Sequence, residues 1–572
     1  MEKRVFLAIF LCFAVLAVYQ GYFAPKPPDE TAATAPQTTA TPAATPSPTP
    51  ASGAANAPTT GPAPMAPPAQ ALVADTTAHD IVVDTDEVHA VFTTQGAALK
   101  SWVLKKYKTE EGRELDLVPP DLPSNFSRPF TLATEEPVVS ATLASALYQP
   151  SATSLTLGKA PGTLSFEYRD ASGLSARKAF HFQPEGKPYI LTVDAEINVG
   201  GAARPVVLKW GPALGLGYKP DGSRSVPVDA IQQIDDGPER LSASTLEKQP
   251  HYEGTFRYIG VEEQYFLSVA LPGTQNVQVD FQPVTLPVPN DPKNRTRAFV
   301  QYTVRFPGAA SVPFFLGPKD FEVLKAVDPQ FTLAIDFGRT YIRWLVVPLF
   351  QALKRINDYV GNWGWSIIVL TLILNIILFP LRHRSMVSMR KMQSVQPEVK
   401  AIQDRYAKYK FTDPERQKMN EELRALYQQK GINPAGGCVP MLLTFPILIA
   451  FYDLLYSSIE LRGAPFMGWI HDLSLRDPYY ITPIIMGLSM FFQQRMMPST
   501  ADPAQQRMFM LLPIFFTFTF VWMPAGLVLY WLASNVMTIG QQYVTNRIIG
   551  APAPVRVPAK PAARGNNTAK KS

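Results

Sequence analysis

The chain is 572 residues long, 46% hydrophobic and 17% charged, with a formal net charge of +6. That length allows two or three domains, and so low a charged fraction argues against a wholly soluble protein. Only Cys12 and Cys438 are present, which argues against a disulfide framework, and six scattered histidines lack the spacing of a metal site.

The first apolar run, Val5 to Phe23, contains no charge. Residues 1–24 are therefore expected to form an uncleaved membrane anchor, with signal-peptide cleavage after Ala14 or Ala17 as the alternative. Leu11 before Cys12 argues against a lipoprotein signal. Residues 25–74 are rich in Pro, Ala, Thr and Ser and cannot bury enough apolar surface to order themselves, so they read as an extended tether.

Residues 75–338 read as β structure. Tyr189, Leu191, Val193, Ala195 and Ile197 alternate with Thr192, Asp194, Glu196 and Asn198, and Ala298, Val300, Tyr302, Val304 and Phe306 repeat the period of two. Turn clusters at 183–188 and 289–293 punctuate the strands. A large antiparallel sandwich is expected. Residues 339–360 change period: Tyr341, Trp344, Leu345, Leu349, Ala352, Leu353 and Ile356 recur at helical spacing. This predicts an amphipathic helix at the membrane interface, or a helix packed on the sandwich.

Residues 361–548 carry the remaining apolar segments. Gly361 to Leu381, Gly436 to Ser458 and Pro478 to Gln494 each read as one span, and Met508 to Asn546 reads as two, broken at Pro524-Ala-Gly526. With the anchor, six spans are expected. The segment 382–437 has twelve Lys/Arg against six Asp/Glu, and the tail from Arg547 has six Lys/Arg and no acid. Placing these basic stretches in the cytoplasm puts the N-terminus there and the β domain on the opposite side. Within the basic segment, 383–432 reads as a helical hairpin whose turn is capped by Thr412 or Asp413 ahead of Pro414. Its basic exterior, with the tail 549–572, suits solvent, anionic lipid or ribosomal RNA.

Polar residues inside apolar helices are the candidate site. Thr371 and Asn375 share a helix face, and Arg382 lies two turns further along it. Thr444, Ser534, Asn535 and Thr538 are polar positions on other spans, and Trp522, Tyr530 and Trp531 are candidates for apolar groove wall. Interhelical packing is the commoner use of such polar residues, and an interfacial belt or plain packing that of such aromatics.

The segments Val360-Gly-Asn-Trp-Gly364, Asn433-Pro-Ala-Gly-Gly-Cys438, Glu460-Leu-Arg-Gly-Ala-Pro-Phe466, Trp469-Ile-His-Asp-Leu-Ser474, Asp477-Pro-Tyr-Tyr480 and Gly526-Leu-Val-Leu-Tyr530 resemble the YidC/Oxa/Alb family of membrane protein insertases. The resemblance spans about residues 344–547, and the anchor, tether and β domain match its Gram-negative form. It implies a periplasmic β-supersandwich like that of sugar mutarotases. It also implies five core helices around a hydrophilic groove open to cytoplasm and lipid, lined here by Thr371, Asn375, Arg382, Thr444, Trp522, Tyr530, Trp531 and Ser534. The implied activity is insertion and folding of nascent inner-membrane proteins without covalent chemistry, cofactor or metal. The implied partners are those nascent proteins, the Sec translocon, the ribosome and membrane lipids. One departure stands out: the family usually has arginine where this chain has Asn375, and Arg382 is expected to substitute in part.

Two other classes are weighed against this. A membrane-tethered sugar enzyme needs a paired histidine and carboxylate in a cleft, and His89, His181 and His251 offer no persuasive partner in the sequence. A small-molecule transporter predicts internal repeats, and none is found.

Overall fold

The computed structural model describes residues 70–549, except 110–111, 215–227, 236, 289–293, 339–341, 410–412, 433–438 and 497–502, and it leaves aside the side chains of 439–445, 503–509 and 549. The expected anchor, nearly all of the tether and the tail from 550 lie outside the described residues. The chain divides into two units, one ending at Gly317 and the other starting at Pro318.

In the first unit, the alternating segments become three sheets. Neighbouring strands Gly162–Asp170, Leu174–Phe182, Ile190–Val199 and Ala310–Pro318 form the middle of the largest, which has eleven strands. Two five-stranded sheets accompany it, one containing Asn276–Pro287 paired with Thr296–Phe306 and the other Asp80–Thr85 paired with Val88–Thr93. The expected inward residues Tyr189, Leu191, Val193, Ala195 and Ile197 are all buried. In the second run Val300, Tyr302, Val304 and Phe306 are buried, but Ala298 is exposed and Phe299 turns inward instead. Asp80–Thr85 departs from the antiparallel expectation by running parallel to Ser154–Gly158. A parallel pair needs a long crossover, so no local turn signal announces it. Among the described residues, two helices interrupt the strands, α1 (Pro137–Ser145) and the single turn α2 (Ala243–Leu246).

Aromatic rings fill the space between the sheets. Phe92 and Phe180 lie 4.5 Å apart by ring centroid, and Phe130 meets Phe314 edge-on at 5.0 Å. Among these rings sits Lys178, fully buried, whose Nζ donates to the carbonyls of Gly96, Ala97 and Phe130 at 2.7, 2.6 and 2.8 Å. All three acceptor residues have positive φ (66°, 44° and 67°).

The second unit is helical. It contains α3 (Phe321–Val327), α4 (Arg343–Val360), α5 (Trp363–Ser394), α6 (Gln396–Arg405), α7 (Glu415–Gln429), α8 (Val439–Ser457), α9 (Ile481–Met496), α10 (Pro503–Phe520) and α11 (Ala525–Ile549). Residues 318–338, expected to close the β domain, group with these helices. Phe350 of α4 packs on Phe321 and Phe337, while Arg343 donates to the carbonyls of Thr332 and Ile335. The buried stripe of α4 is Val346, Leu349, Phe350 and Leu353, preceded by the buried Ile342. Trp344, expected on the apolar face, is 73% exposed, and Tyr359 at the other end is 88% exposed. Two outward aromatics at the ends of one helix suit a water–lipid boundary.

Among the described residues, α5 alone is long and apolar enough to cross a membrane; Pro446–Ser457 and Met510–Phe520 are shorter apolar stretches. At about 1.5 Å per residue, the 32 residues of α5 reach about 48 Å, so the helix runs past its uncharged half into the basic segment. The expected break at Pro524 is present, between α10 and α11. In the basic segment, Val395, Val399 and Ile432 make a small core with Leu423, Leu426 and Tyr427. Asp413 accepts the Glu415 N–H at 3.1 Å just ahead of α7, but the N-cap position itself falls on Pro414 and not on the expected Asp413; Thr412 lies outside the described residues.

Glu460, in the turn after α8, has a buried carboxyl oxygen with no hydrogen-bond partner. Burial, helped by the nearby Asp320 carboxylate and opposed by the Phe321 N–H and Lys354, pushes its pKa up to about 7. A carboxyl whose folded pKa is raised loses stability as pH climbs from about 4.5 to 7, then levels off. Glu460→Gln should therefore stabilise the helical unit by roughly 3 kcal/mol at pH 8 and change little at pH 4.5. Thermal unfolding of the detergent-solubilised chain at the two pH values checks this.

Candidate functional site

The joints between helices explain most of the motif residues. Gly361 ends α4 in the left-handed conformation (φ 69°), and Asn362 starts α5 by accepting the Trp365 N–H at 3.1 Å. The same Asn362 donates to the carbonyls of Pro465 and Phe466. A Cβ on Gly364 would lie 2.1 Å from the Phe466 ring, so the glycine is a packing requirement. Asp477 is buried before α9. One of its oxygens accepts from Trp469 Nε1 and the Tyr479 N–H, both at 2.9 Å; the other accepts from the Thr482 N–H and hydroxyl, both at 2.7 Å. Burial alone would raise its pKa, yet these donors hold the carboxyl below the usual range.

A different set of residues converges where α5 meets α11. Thr371 returns its hydroxyl to the Ile367 carbonyl at 2.6 Å, a local bond that hides its polarity in the helix. Asn375 is nearly buried; its amide nitrogen donates to the Thr371 carbonyl at 2.8 Å, which leaves its oxygen facing the following turns. Arg382 reaches back along the helix, and its Nη1 donates to Asn375 Oδ1 at 2.6 Å and to Thr538 Oγ1 of α11 at 3.0 Å. Thr538 in turn donates to the Ser534 carbonyl at 2.8 Å. Gln541 completes the cluster by donating to the Asn375 carbonyl at 2.8 Å, while its own side-chain oxygen is buried without a partner. Further along the same helix pair, His383 meets Thr545 at 3.4 Å and Arg390 donates to Asn546.

Of the residues expected to line a groove, the structure thus brings together Thr371, Asn375 and Arg382, with Ser534 contributing its carbonyl to Thr538. Tyr530 is buried and stacks on Phe451 at 4.2 Å. Trp531 packs against Phe516 and Phe520, and Trp522 is 54% exposed with Phe518 edge-on to it. The Thr444 side chain lies outside the described residues. Asn535 bonds Ser489 of α9 at 3.0 Å, which is interhelical glue. Gln541 was not anticipated, although it lies three residues beyond Thr538 on an otherwise apolar helix.

The sequence suggested no carboxylate partners for the β-domain histidines, and the structure corrects this. His89 pairs with Asp84 at 2.9 Å, His181 with Asp194 at 2.7 Å, and His251 with Asp280. All three pairs are at least a third exposed on both partners, on sheet surfaces. Exposed pairs of this kind add little stability and exclude no water. Among the described residues, no group of three or more metal-ligating side chains occurs.

A sheet domain joined to apolar helices that share a polar cluster is the build of an integral membrane protein with a large extramembrane domain. Residues 80–352 match the family model described as YidC periplasmic domain, and 355–551 match that of the 60Kd inner membrane protein. A membrane protein insertase YidC of Geobacter metallireducens is 37% identical over 96% of this chain and 99% of its own length. Its counterpart in Geobacter sulfurreducens is 35% identical over the same shares. A crystal structure of an active YidC insertase covers 84% of this chain and 94% of its own, at 18% identity and a TM-score of 0.33. The chain belongs to the YidC family of membrane insertases, inner-membrane proteins that carry a periplasmic domain and perform no covalent catalysis.

Proposed function

We propose that this chain inserts nascent proteins into the inner membrane by offering their short polar segments a hydrated groove, alone or with the Sec translocon. The observation that carries the reading is the Arg382–Asn375–Thr538 cluster. It holds a cation between two helices at the point where the apolar run Gly361 to Leu381 gives way to the basic segment. Thr371, Asn375, Arg382, Thr444 and Ser534 supply the polar lining, and Trp522, Tyr530 and Trp531 the apolar wall.

The physical task is to shorten the dry path. A charge at the bilayer centre costs about 2.5–3.5 kcal/mol on insertion scales, and a wet groove that reaches partway across removes much of that barrier. The helix α9 has 16 residues, about 24 Å, against a hydrocarbon core of about 30 Å. A span this short thins the surrounding bilayer and lowers the barrier again. The apolar part of the client then leaves sideways into lipid, driven by its own hydrophobicity.

The proposed topology has six spans including the anchor, a cytoplasmic N-terminus, and the hairpin 383–432 and tail 549–572 facing the ribosome and anionic lipid. A photo-reactive residue placed at Ser534 or Thr371 should crosslink to a ribosome-bound single-span client far more than one placed at the outward Ile377 or Val536. Equal crosslinking from all four positions would contradict the groove.

A further inference from the structure

A single loop grips the N-terminal ends of α5 and α11, the two helices that share the polar cluster. Asn362, which starts α5, gives its side-chain amide to the carbonyls of Pro465 and Phe466 at 3.0 and 3.3 Å. The Ala525 and Gly526 N–H groups, which start α11, donate to the carbonyls of Leu475 and Leu473 at 2.7 and 2.9 Å. The first N–H groups of a helix have no partner inside it, so the loop completes α11 from outside. Its two gripping stretches are joined by the Leu473 N–H, which donates to the Ala464 carbonyl at 3.0 Å. The fit leaves no slack. A Cβ on Gly364 would overlap the Phe466 ring, and one on Gly526 would lie 3.2 Å from the Leu473 carbonyl oxygen.

The C-terminal halves are joined differently. On α5, Gly364, Ser366, Ile367, Leu370, Thr371 and Asn375 are buried, and among its described residues beyond Asn375 only Ser385 is. Polar side chains link the helices there: Arg382 to Thr538, His383 to Thr545 and Arg390 to Asn546. Such bonds exchange for water at little cost, whereas backbone bonds backed by buried apolar contacts do not. The closed arrangement is also incomplete, since the side-chain oxygens of Gln541 and Gln542 are buried with no hydrogen-bond partner among the described residues. Opening this end to water satisfies both.

We propose that the loop from Ala464 to Leu475 is a fixed pivot, and that a client enters by parting the C-terminal halves of α5 and α11 while their N-terminal ends stay clasped. This rests on the groove reading above and adds the motion that opens it. The lever is long: Asn362 to His383 is about 30 Å of helix. A tilt of roughly 10° at the pivot separates the helices by about 5 Å at His383, the spacing of neighbouring extended chains.

The test locks each end in turn, in the full chain with Cys12 and Cys438 replaced by serine. One variant carries Leu473→Cys and Gly526→Cys; a Cβ at position 526 lies 3.6 Å from the Leu473 Cβ, within disulfide range. The other carries His383→Cys and Thr545→Cys, at side chains that meet at 3.4 Å, and a short bis-methanethiosulfonate reagent bridges them. Each is placed in liposomes, and protease protection of a short-tailed single-span client is read with the bridge intact and after reduction. The disulfide between 473 and 526 should leave insertion within about twofold of the reduced form, whereas the bridge between 383 and 545 should lower it about tenfold by emptying the open state. Spin labels on the 383 and 545 cysteines should also move apart by about 5 Å when a ribosome-bound client is added. Insertion lost with the first disulfide and recovered on reduction would refute the pivot. Full insertion with the second bridge, or an unchanged label distance, would refute the opening and leave the groove standing. No insertion by the chain without any bridge would refute the groove reading, and the pivot with it.

Discussion

Replacing Lys178 by methionine is expected to unfold the β domain under conditions where the native chain is stable. The substitution keeps the length and apolar stem of the side chain and removes only the ammonium. Three carbonyls, those of Gly96, Ala97 and Phe130, then lose their donor in a site with no solvent access at Lys178. Each buried group left unpaired costs roughly 1–3 kcal/mol, so the loss is at least about 3 kcal/mol. The effect is compounded because Ala97 and Phe130 sit in the left-handed region, where a side chain costs about 1–2 kcal/mol, and the ammonium is what ties those turns to the strand Leu174–Phe182. Burial pushes the Lys178 pKa well below that of a free lysine, while three short bonds to carbonyls need all three ammonium protons. A domain's whole stability is about 5–15 kcal/mol, so a loss of this size shows plainly. Pulse proteolysis of the full chain in a urea series should move the midpoint for cleavage of the β domain to lower urea. An unchanged midpoint would mean that the carbonyls find water.

Asp477→Ala should have a comparable effect on the helical unit. The carboxylate is 1% exposed and accepts four hydrogen bonds, from Trp469, Tyr479 and twice from Thr482. It caps the start of α9 and also holds the loop that carries Trp469. Capping alone is worth about 1 kcal/mol, and each bond to a charged acceptor about 1.5–3 kcal/mol. A loss of roughly 3–5 kcal/mol is expected, with Asp477→Asn intermediate because one oxygen survives as acceptor. Since the folded pKa is depressed, the stabilisation is present above about pH 4 and disappears as the pH falls through the folded value. Thermal unfolding of the two variants in detergent at pH 7 should place them in that order below the native chain. At a pH low enough to protonate Asp477, the native advantage should vanish; its persistence there would sink the capping account.

Periodicity was the most legible part of the sequence. The run from Tyr189 to Ile197 buries the side its alternation indicated, because one wrong residue of register would have exposed every apolar side chain. The face shared by Thr371, Asn375 and Arg382 was equally readable, since positions four and seven residues apart on a helix align without knowledge of any partner. Residues whose roles depend on distant chain segments were not readable. Lys178 looks like an ordinary charge on a strand; its burial depends on carbonyls 48 to 82 residues away. Gln541 becomes part of the cluster only because α11 lies against α5, 166 residues earlier. Trp344 lies outside the buried stripe of α4, and its spacing could not show this, because an apolar residue at helical spacing does not say whether it faces protein or lipid. The motifs Val360 to Gly364 and Asp477 to Tyr480 turned out to be caps and joints, roles that require specific residues as strictly as a site does.

The central claim is that this chain by itself lowers the barrier to membrane insertion. The most direct measurement adds a short-tailed single-span membrane protein to liposomes that contain only the purified chain, then reads protection of the client from external protease. The account predicts protection well above that in empty liposomes, and higher for an acidic tail than for its neutral counterpart. Protection no greater than in empty liposomes would contradict autonomous insertion and with it the groove as its cause.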